Sequence, residues 1–343
     1  MELALHAPGL GYYSAGTCKF GGGGDFVTAP ELGGVFARTL ARQAAQVLRE
    51  GITDIVELGA GGGKLACDLL AELAALDCLP RRYLILETSA ELRERQRELL
   101  QHELPQLAPR IAWLDVLPAA LDALVIGNEV LDAMPVHIIR TRDSGADELG
   151  VTQNNGSFEW SARPASGPVL AAASALNLPP DYTTEIHLAA RAFVRTLAAS
   201  LARGVALLID YGFPAHEYYH PQRDAGTLMC HYRHHAHSDP LYLIGLQDIT
   251  AHVDFSSIAQ VAADAGLEVL GYTNQAQFLI NCGVTELLAA TPAEDPSYLR
   301  LAAQAQKLLS PAEMGELFKV IALGRNFSAR LFGYIRGDKR HTL

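Results

Sequence analysis

Hydrophobic positions along this chain follow two periods that alternate. Residues 54–58 and 204–212 are mostly apolar runs, as expected for strands buried on both faces of a parallel sheet. Apolar positions with helical spacing follow most of the strand-like runs, so the pattern predicts an α/β fold with helices on both faces of the sheet. The seven predicted strands are 54–58, 82–87, 110–114, 123–127, 204–212, 267–273 and 318–323. The predicted helices are about 30–49, 63–77, 89–103, 187–202 and 256–265, with further helix between 275 and 317.

A different pattern separates the fourth and fifth predicted strands. Residues 136–140 and 148–160 alternate between polar and apolar positions around polar turns, which is typical of antiparallel hairpins. Residues 163–182 are rich in proline and alanine and are predicted to be irregular. We interpret the region from 134 to 203 as an insertion that overhangs the site and contacts the substrate.

The composition is that of an acidic globular protein. The chain has 343 residues, of which 49% are hydrophobic, and its formal net charge is −11. No nucleic-acid partner is predicted, because nonspecific affinity for DNA or RNA comes largely from neutralised phosphates. No apolar run of membrane-spanning length and no signal-peptide pattern occur, so membrane insertion is not predicted. The five cysteines are scattered without a C-x-x-C spacing, which favours a reducing compartment, and the prediction is a bacterial cytoplasm.

The first predicted strand leads directly into a glycine cluster and a helix. Gly59, Gly61 and Gly63 permit positive φ in this turn and let a ligand approach the backbone where a Cβ would block it. The following helix presents unpaired N–H groups that favour anionic or electron-rich ligand groups. The spacing differs from the G-x-G-x-x-G of nicotinamide and flavin enzymes. The alternative interpretation is a glycine-rich turn that binds no ligand.

Two acidic residues specify the predicted ligand. Glu57 lies inside the first strand, where it would repel a pyrophosphate and attract a cationic amino-acid group. Glu87 ends the second strand, where it can accept hydrogen bonds from both ribose hydroxyls. S-adenosylmethionine is a nucleoside that carries a cation and no phosphate, and it is the predicted cofactor. Asp115, just after the third strand, is a candidate acceptor for the adenine amino group, with an ordinary turn aspartate as the alternative.

The segment after the fourth strand is the predicted site of catalysis. Ligands of open α/β sheets bind beyond the carboxyl ends of the strands. Asn128 and Glu129 lie there, next to the first strand, and Asp132 and His137 follow. The alternative is that Glu129 and Asp132 are acids at a helix N-terminus, where the helix macrodipole favours them.

The N-terminal region is rich in glycine. We interpret residues 9–34 as a loop that forms a lid over the ligand, with a simple capped loop as the alternative, and Asp25 in it is a candidate site residue. Thr28 and Glu31 predict a capping box at the start of the next helix. The first eight residues resemble the end of a helix, so the native protein is expected to begin further upstream.

Histidines are concentrated in the region after the fifth strand. Residues 213–247 are predicted to form a long polar loop. His231, His234 and His235 are close in sequence, but they lack a metal-ligand spacing and are accompanied by arginines that would repel a cation. No metal is predicted, and the loop is expected to hydrogen-bond a substrate or a partner.

Six segments lie in order along nearly the whole chain, namely Gly24–Glu31, Val56–Gly61, Asn128–His137, Asp210–Gly212, Asp248–Phe255 and Met314–Lys319. Together they resemble the MidA family of S-adenosylmethionine-dependent methyltransferases, whose mitochondrial members act in respiratory complex I assembly. The bacterial branch of the family is the most similar. The resemblance implies a Rossmann-like class I methyltransferase sheet, in which the seventh strand is antiparallel and lies between the fifth and sixth.

Four regions are predicted on this basis. They are an N-terminal glycine-rich lid and helix (1–50), an S-adenosylmethionine-binding Rossmann-like core (51–133), the substrate-side insertion (134–203), and the remainder of the core with the histidine-rich loop and a helical insertion (204–343).

The resemblance also implies a reaction. In the mitochondrial branch an arginine of a complex I subunit is dimethylated symmetrically, so a protein arginine side chain is the predicted acceptor. The cofactor residues are predicted to be Glu57, Gly59, Gly61, Gly63, Glu87, Asp115 and Asp25. Glu129 is expected to pair with the guanidinium, assisted by Asn128, with Asp132, Asp25 and His137 as secondary candidates and His137 as a proton acceptor.

Other functions remain open at this stage. One is a non-catalytic assembly factor that binds the cofactor and recognises a partner through its insertion and loops. Another is a small-molecule methyltransferase, which a deep closed pocket would favour, whereas an open acidic groove would favour a protein substrate. A nicotinamide oxidoreductase is disfavoured by Glu57 and the glycine spacing. The sequence does not specify the oligomeric state, for which a dimer is the candidate.

Overall fold

Strands and helices alternate through most of the chain in the computed structural model, which describes residues 1–13 and 28–343. The strands are β1 (Asp54–Leu58), β2 (Arg82–Leu86), β3 (Ile111–Leu114), β4 (Leu121–Asn128), β5 (His137–Thr141), β6 (Ala146–Asn154), β7 (Ser157–Pro164), β8 (Thr183–Ile186), β9 (Leu201–Phe213), β10 (Met229–Tyr232), β11 (His235–His237), β12 (Asp248–Thr250), β13 (Val253–Asp254), β14 (Glu268–Asn274) and β15 (Phe318–Arg325). The helices are α1 (Glu2–His6), α2 (Gly34–Arg49), α3 (Lys64–Ala75), α4 (Ala90–Glu103), α5 (Gly167–Ala175), α6 (Leu188–Ser200), α7 (Ala215–Tyr218), α8 (Phe255–Asp264), α9 (Gln275–Asn281), α10 (Val284–Ala289) and α11 (Tyr298–Leu309). Within these described ranges, no helix combines the length and the apolar character needed to cross a membrane.

The central sheet has the strand order β14-β15-β9-β4-β1-β2-β3, with β13 paired to the end of β9. Its pairs are parallel except the two made by β15, which runs antiparallel to β9 and β14. All seven predicted strands are present, and the class I methyltransferase arrangement is confirmed. The strand order reverses between β1 and β4, and this switch point is where open α/β sheets bind their ligands.

Apolar layers cover both faces of this sheet. Helices α2, α3, α4, α9, α10 and α11 contribute to one layer, and α6 and α8 contribute to the other. Ile55 and Val56 are consecutive in β1 but belong to opposite layers, because successive side chains of a strand point to opposite faces. The carboxyl end of β1 is therefore fixed from both sides, and so is the turn that follows it.

The region between β4 and β9 forms a second, antiparallel sheet in the order β7-β6-β5-β8. The predicted hairpins are present, but the prediction that residues 163–182 are irregular was wrong in part. Strand β7 continues to Pro164, and α5 packs Val169 and Ala173 onto this sheet. Alanine is the strongest helix former and proline is tolerated in the first helical turn, so the composition of this segment suits a short helix.

The histidine-rich segment is more ordered than predicted. It contains α7, β10 and β11, and β10 pairs with β12 to complete a three-stranded sheet. The N-terminal helix α1 packs on this small sheet, where Leu5 and Tyr12 contact a cluster with Cys230 and Ile249. These long-range apolar contacts explain why a segment with a polar composition contains strands.

The N-terminal prediction needs a correction. Helix α2 begins at Gly34, Thr28 makes no side-chain capping bond, and Ala29–Leu32 forms a short 3-10 turn instead. The predicted capping box of Thr28 and Glu31 was therefore wrong. Residues 14–27 of the predicted lid, which include Asp25, lie outside the described residues, whereas residues 9–13 are described.

Candidate functional site

A cavity of about 1000 Å³ opens at the carboxyl ends of β1, β2 and β4. Its walls come from the glycine turn after β1, residues 86–92, several of residues 128–135 and several of residues 6–13. Phe193 of α6 also lines it. The cavity therefore lies at the switch point of the sheet, and its size suits a nucleoside-sized ligand.

The glycine turn leaves its backbone open to this cavity. Gly59 and Gly61 have φ values of +61° and +51°, a conformation that other residues rarely adopt. Among the described residues, a Cβ built on Gly59 would contact Val130 alone, at 3.7 Å. The backbone conformation thus favours glycine here, and the inner side of the turn remains available to a ligand.

Glu57 lies in β1 below the turn and lines the cavity, although its side chain is buried. The Tyr83 hydroxyl donates a hydrogen bond of 2.7 Å to Glu57 Oε2. Burial raises the pKa of Glu57 to about 7, against the effect of this hydrogen bond and with a further contribution from the charge of Glu87. A cationic ligand group would favour the ionised form of Glu57.

Glu87 follows β2 on the other side of the turn and also lines the cavity. Its Oε1 accepts the Ser89 N–H at 2.9 Å, and its Oε2 accepts the Gln96 side-chain amide at 3.2 Å. Burial raises the pKa of Glu87, while these donors oppose the rise. Each carboxylate oxygen keeps further acceptor capacity, which ribose hydroxyls could use.

Glu129 occupies a strained position just beyond β4. Its φ is +53°, which is uncommon for a residue other than glycine. Its N–H donates to the Ile209 carbonyl at 2.8 Å, and Asn128 Nδ2 donates to Glu129 Oε1 at 3.0 Å. Burial raises the pKa of Glu129 to about 8, and the charges of Asp132 and Asp248 add to the rise. A buried carboxyl group with this pKa can accept a proton near neutral pH.

Asp210, which had no predicted role, holds the segment that carries Glu129. Its Oδ2 accepts the backbone N–H groups of Val130, Leu131 and Asp132 at 3.2, 2.9 and 3.2 Å. The residues after β4 therefore form a turn, not a helix, and the alternative of acids at a helix N-terminus is excluded. Burial raises the pKa of Asp132, and a hydrogen bond from the hydroxyl of Tyr211 acts in the opposite direction and lowers this pKa.

A second acid, Asp248 of β12, reaches the same region from a distant part of the chain. The Tyr13 hydroxyl donates to Asp248 Oδ1 at 2.7 Å, and Tyr13 lines the cavity. Neither residue was predicted as a site residue. The only signal was that Asp248 and Asp210 begin two of the segments that resemble the MidA family.

Of the predicted site residues that the structure describes, five do not line the cavity, namely Glu129 and Asp132, whose surroundings are given above, and Gly63, Asp115 and His137. Gly63 precedes α3, and a Cβ there would lie 3.3 Å from Gln96 Cα and Cγ, so its glycine serves helix packing. The Asp115 side chain is 87% exposed and forms an ion pair with Arg93, which does not support an adenine contact. His137 lies in β5, where its Nδ1 is 2.7 Å from Glu148 Oε1. A carboxylate partner at Nδ1 leaves Nε2 as the acceptor, so it is the position of His137 outside the cavity lining that does not support the predicted role.

The remaining walls fit a nucleoside that carries a cation. Glu57 and Glu87 flank the open glycine turn, and apolar side chains of Leu65, Leu86 and Leu92 line the space beside them. Asn128 lines the cavity as well, and its buried Oδ1 accepts no hydrogen bond from the described residues. Among those residues, no group of three or more histidine, cysteine, aspartate or glutamate side chains is arranged to hold a metal ion.

The chain matches known proteins over most of its length. Residues 36–273 match the model of a family described as "Putative S-adenosyl-L-methionine-dependent methyltransferase". A crystal structure from Burkholderia thailandensis with bound S-adenosyl-homocysteine is 52% identical, with a TM-score of 0.96 over 100% of this chain and 90% of that chain. A native crystal structure from the same organism is 51% identical, with a TM-score of 0.93 over the same shares.

Curated relatives are more distant. The mitochondrial protein arginine methyltransferase NDUFAF7 of Danio rerio is 28% identical, over 94% of this chain and 82% of its own length. The mitochondrial protein arginine methyltransferase NDUFAF7 homolog of Drosophila melanogaster is 29% identical, over 94% and 80%. Both similarities extend through the central sheet and the insertion.

Proposed function

The chain belongs to the MidA-like family of S-adenosyl-L-methionine-dependent methyltransferases, and from that premise we propose that it methylates an arginine side chain of a protein. The cofactor predicted from Glu57 and Glu87 is S-adenosyl-L-methionine, as the family match and the structure with bound S-adenosyl-homocysteine confirm. The acceptor and the roles of the site residues are the proposal. Relatives named as protein arginine methyltransferases support the choice of acceptor.

We assign the cofactor groups to the cavity walls described above. Glu57 would face the cationic amino-acid end, with the backbone of Gly59 and Gly61 beside it. Glu87 would accept the ribose hydroxyls. The segment 128–135, of which Asn128 and Val130 line the cavity, then carries the wall towards which the methyl group would be presented, since it lies beyond β4 and next to β1.

One observation carries the choice of a cationic acceptor, namely the concentration of acids beside that wall. Burial disfavours the ionised form of Glu129, and the negative charges of Asp132 and Asp248 disfavour it further. Like charges gathered in a poorly solvated site are unfavourable until a cation neutralises them. A guanidinium meets this need best, because it is planar and permanently charged and offers five N–H donors to more than one carboxylate.

In the proposed reaction the residues mainly bind and orient. S-adenosylmethionine, when bound, supplies a methyl group on a positively charged sulfur. A guanidinium nitrogen bonds to the methyl carbon as the carbon–sulfur bond breaks, and that nitrogen then loses a proton. Glu129 would align the guanidinium, localise a lone pair on the attacking nitrogen and accept the proton. Exclusion of water and in-line alignment supply the rest of the acceleration.

The acceptor can be tested with purified proteins and labelled cofactor. The substrates are respiratory complex I subunits, which the family resemblance suggests first, and a version of any labelled subunit with the modified arginine changed to lysine. We expect label in symmetric dimethylarginine after hydrolysis of the wild-type subunit, and none in the lysine version. Label on lysine or on a small molecule would contradict the arginine assignment. Cofactor binding without transfer to any acceptor would favour the non-catalytic assembly factor.

The pKa of Glu57 gives a separate expectation for cofactor binding. Because burial raises this pKa to about 7, Glu57 is protonated below pH 7 and ionised above it. The cation of the cofactor prefers the ionised form, so affinity should rise with pH between pH 5.5 and 7, by up to about tenfold per pH unit. Calorimetric titration in that range measures this dependence, together with proton release at the acidic end.

Two variants control this measurement. Glu57→Gln should bind more weakly and lose the pH dependence. Tyr83→Phe should shift the rise to higher pH, because the Tyr83 hydroxyl favours the ionised form of Glu57. An unchanged pH profile in Glu57→Gln would remove Glu57 from the site of the cofactor cation.

A further inference from the structure

Gln96 does not line the cavity, but its side chain contacts Gly61 and Glu87, which do. It is fully buried in α4, a helix whose remaining residues are mostly exposed or half-buried. The backbone of α4 at Gln96 packs directly against Gly63, where even a Cβ would be crowded. The side chain is thus confined between the glycine turn, the end of β2 and β3.

Both polar atoms of the Gln96 side chain form hydrogen bonds. Its Nε2 donates to the Gly61 carbonyl at 2.9 Å and to Glu87 Oε2 at 3.2 Å. Its Oε1 accepts the indole N–H of Trp113 at 2.8 Å. One amide therefore connects the glycine turn, the acid after β2 and strand β3.

Trp113 fixes which way this amide points. An indole N–H can only donate, so the oxygen of Gln96 must face it. The two N–H groups of the amide must then face the Gly61 carbonyl and Glu87. A carbonyl oxygen and an ionised carboxylate have no hydrogen to donate, so each needs a donor from Gln96. Arg97 stacks its guanidinium 4.9 Å from the centre of the Trp113 ring and so restrains the indole from its outer side. The amide cannot flip without losing all three hydrogen bonds.

We propose that Gln96 is a positioning residue that sets the recognition of the ribose hydroxyls by holding Glu87 against the glycine turn. Ser89 anchors one oxygen of Glu87, and Gln96 anchors the other. With both oxygens fixed, the remaining acceptor directions of Glu87 are aimed into the cavity. The same amide fixes the Gly61 carbonyl, so the distance between the ribose acid and the turn is set by one side chain. The inference rests on the assignment of the ribose to Glu87 in the proposed function.

The test is binding of S-adenosyl-homocysteine and of its 2′-deoxy and 3′-deoxy analogues by calorimetry. Gln96→Met keeps a long unbranched side chain and removes the donors and the acceptor. Wild-type protein should bind the deoxy analogues about tenfold or more weakly than the parent. In Gln96→Met the parent should bind about tenfold more weakly, and the ratio between parent and analogues should fall to about two.

Further variants separate this role from a general loss of structure. Trp113→Phe keeps the donors of Gln96 but frees the amide to flip, so its loss of ribose discrimination should be smaller. Gln101→Met alters an exposed glutamine of the same helix and should leave both values unchanged. Thermal unfolding of each variant gives the temperature below which binding is compared.

Two results would overturn different statements. If Gln96→Met binds more weakly but discriminates against the deoxy analogues as wild type does, Gln96 is only structural and the inference fails. Glu87→Ala is expected to bind S-adenosyl-homocysteine and its deoxy analogues with similar affinity. If wild-type protein also shows no difference between them, the assignment of the ribose to Glu87 fails instead.

Discussion

Changing Glu129 to glutamine is expected to slow methyl transfer by about 100- to 1000-fold while cofactor affinity stays the same. Glutamine fills the same space, but it is uncharged and cannot hold a guanidinium by paired charge-assisted bonds or accept its proton. Glu129 does not line the cavity assigned to the cofactor, whereas its neighbours Asn128 and Val130 do. Single-turnover rates with a labelled acceptor and calorimetric titration with the cofactor measure the two effects separately.

Wild-type protein should also show the titration of Glu129 in its pH profile. Because burial raises its pKa to about 8, kcat/KM for the acceptor should rise with pH up to about that value. Glu129→Gln should lack this rise. Glu159→Gln, an exposed change on β7, is the matched control and should behave as wild type. Full activity in Glu129→Gln would remove this residue from the mechanism.

The same substitution makes a prediction about stability. The ordinary pKa of glutamate is 4.5, and the folded value is about 8. Between these values the folded protein keeps a proton that the unfolded chain has released, so wild-type stability falls as pH rises through this window. Glu129→Gln has no such proton. Its melting temperature relative to wild type should therefore increase from pH 5 to pH 8.

The parts of the fold that could be predicted are those with a local signal. Strands β1 and β2 are short apolar runs and β9 is a longer one, and each is followed by a turn or a helix that the residues themselves encode. Glu57 and Glu87 were predicted as cofactor residues for the same reason, because Glu57 lies inside β1 and Glu87 directly follows β2. The position of β15 between β9 and β14 has no local signal, since strand pairing is long-range, and only the family resemblance supplied it.

The residues that were missed act across long stretches of sequence. Tyr13 and Asp248 are 235 residues apart and meet only because α1 packs on the small sheet of β10 and β12. Gln96 has a simple helical position in the sequence, and its partners become visible only when α4 lies against the glycine turn. Asp115 is the opposite case. Its place after β3 fits an adenine contact, but Arg93 lies close enough to bind its carboxylate at the surface.

Asp210 is the residue whose removal should disturb the site most widely. It is fully buried, and it gathers three successive backbone N–H groups of the segment that carries Glu129 and Asp132. Changing Asp210 to alanine leaves these donors without their acceptor, and we expect a loss of about 3 kcal/mol in the free energy of unfolding. The rate of methyl transfer should fall by about 100-fold or more even below the melting temperature, because small misplacements of reacting groups are that costly.

Asp210→Asn separates geometry from charge. The asparagine oxygen can still accept from the turn, although not from all of its donors. The variant also removes a carboxyl group whose own pKa is raised by burial and by the charges of Asp132 and Glu129. This variant should be more stable than Asp210→Ala and should keep more activity. Its pH optimum for acceptor methylation should stay close to that of wild type, because the pKa of Glu129 is raised by burial and by the charges of Asp132 and Asp248. Denaturant unfolding and pH–rate profiles measure these effects, with Asp143→Ala on the exposed surface as the control. Equal activity in Asp210→Ala and wild type at a temperature where both are folded would show that the turn keeps its shape without this carboxylate.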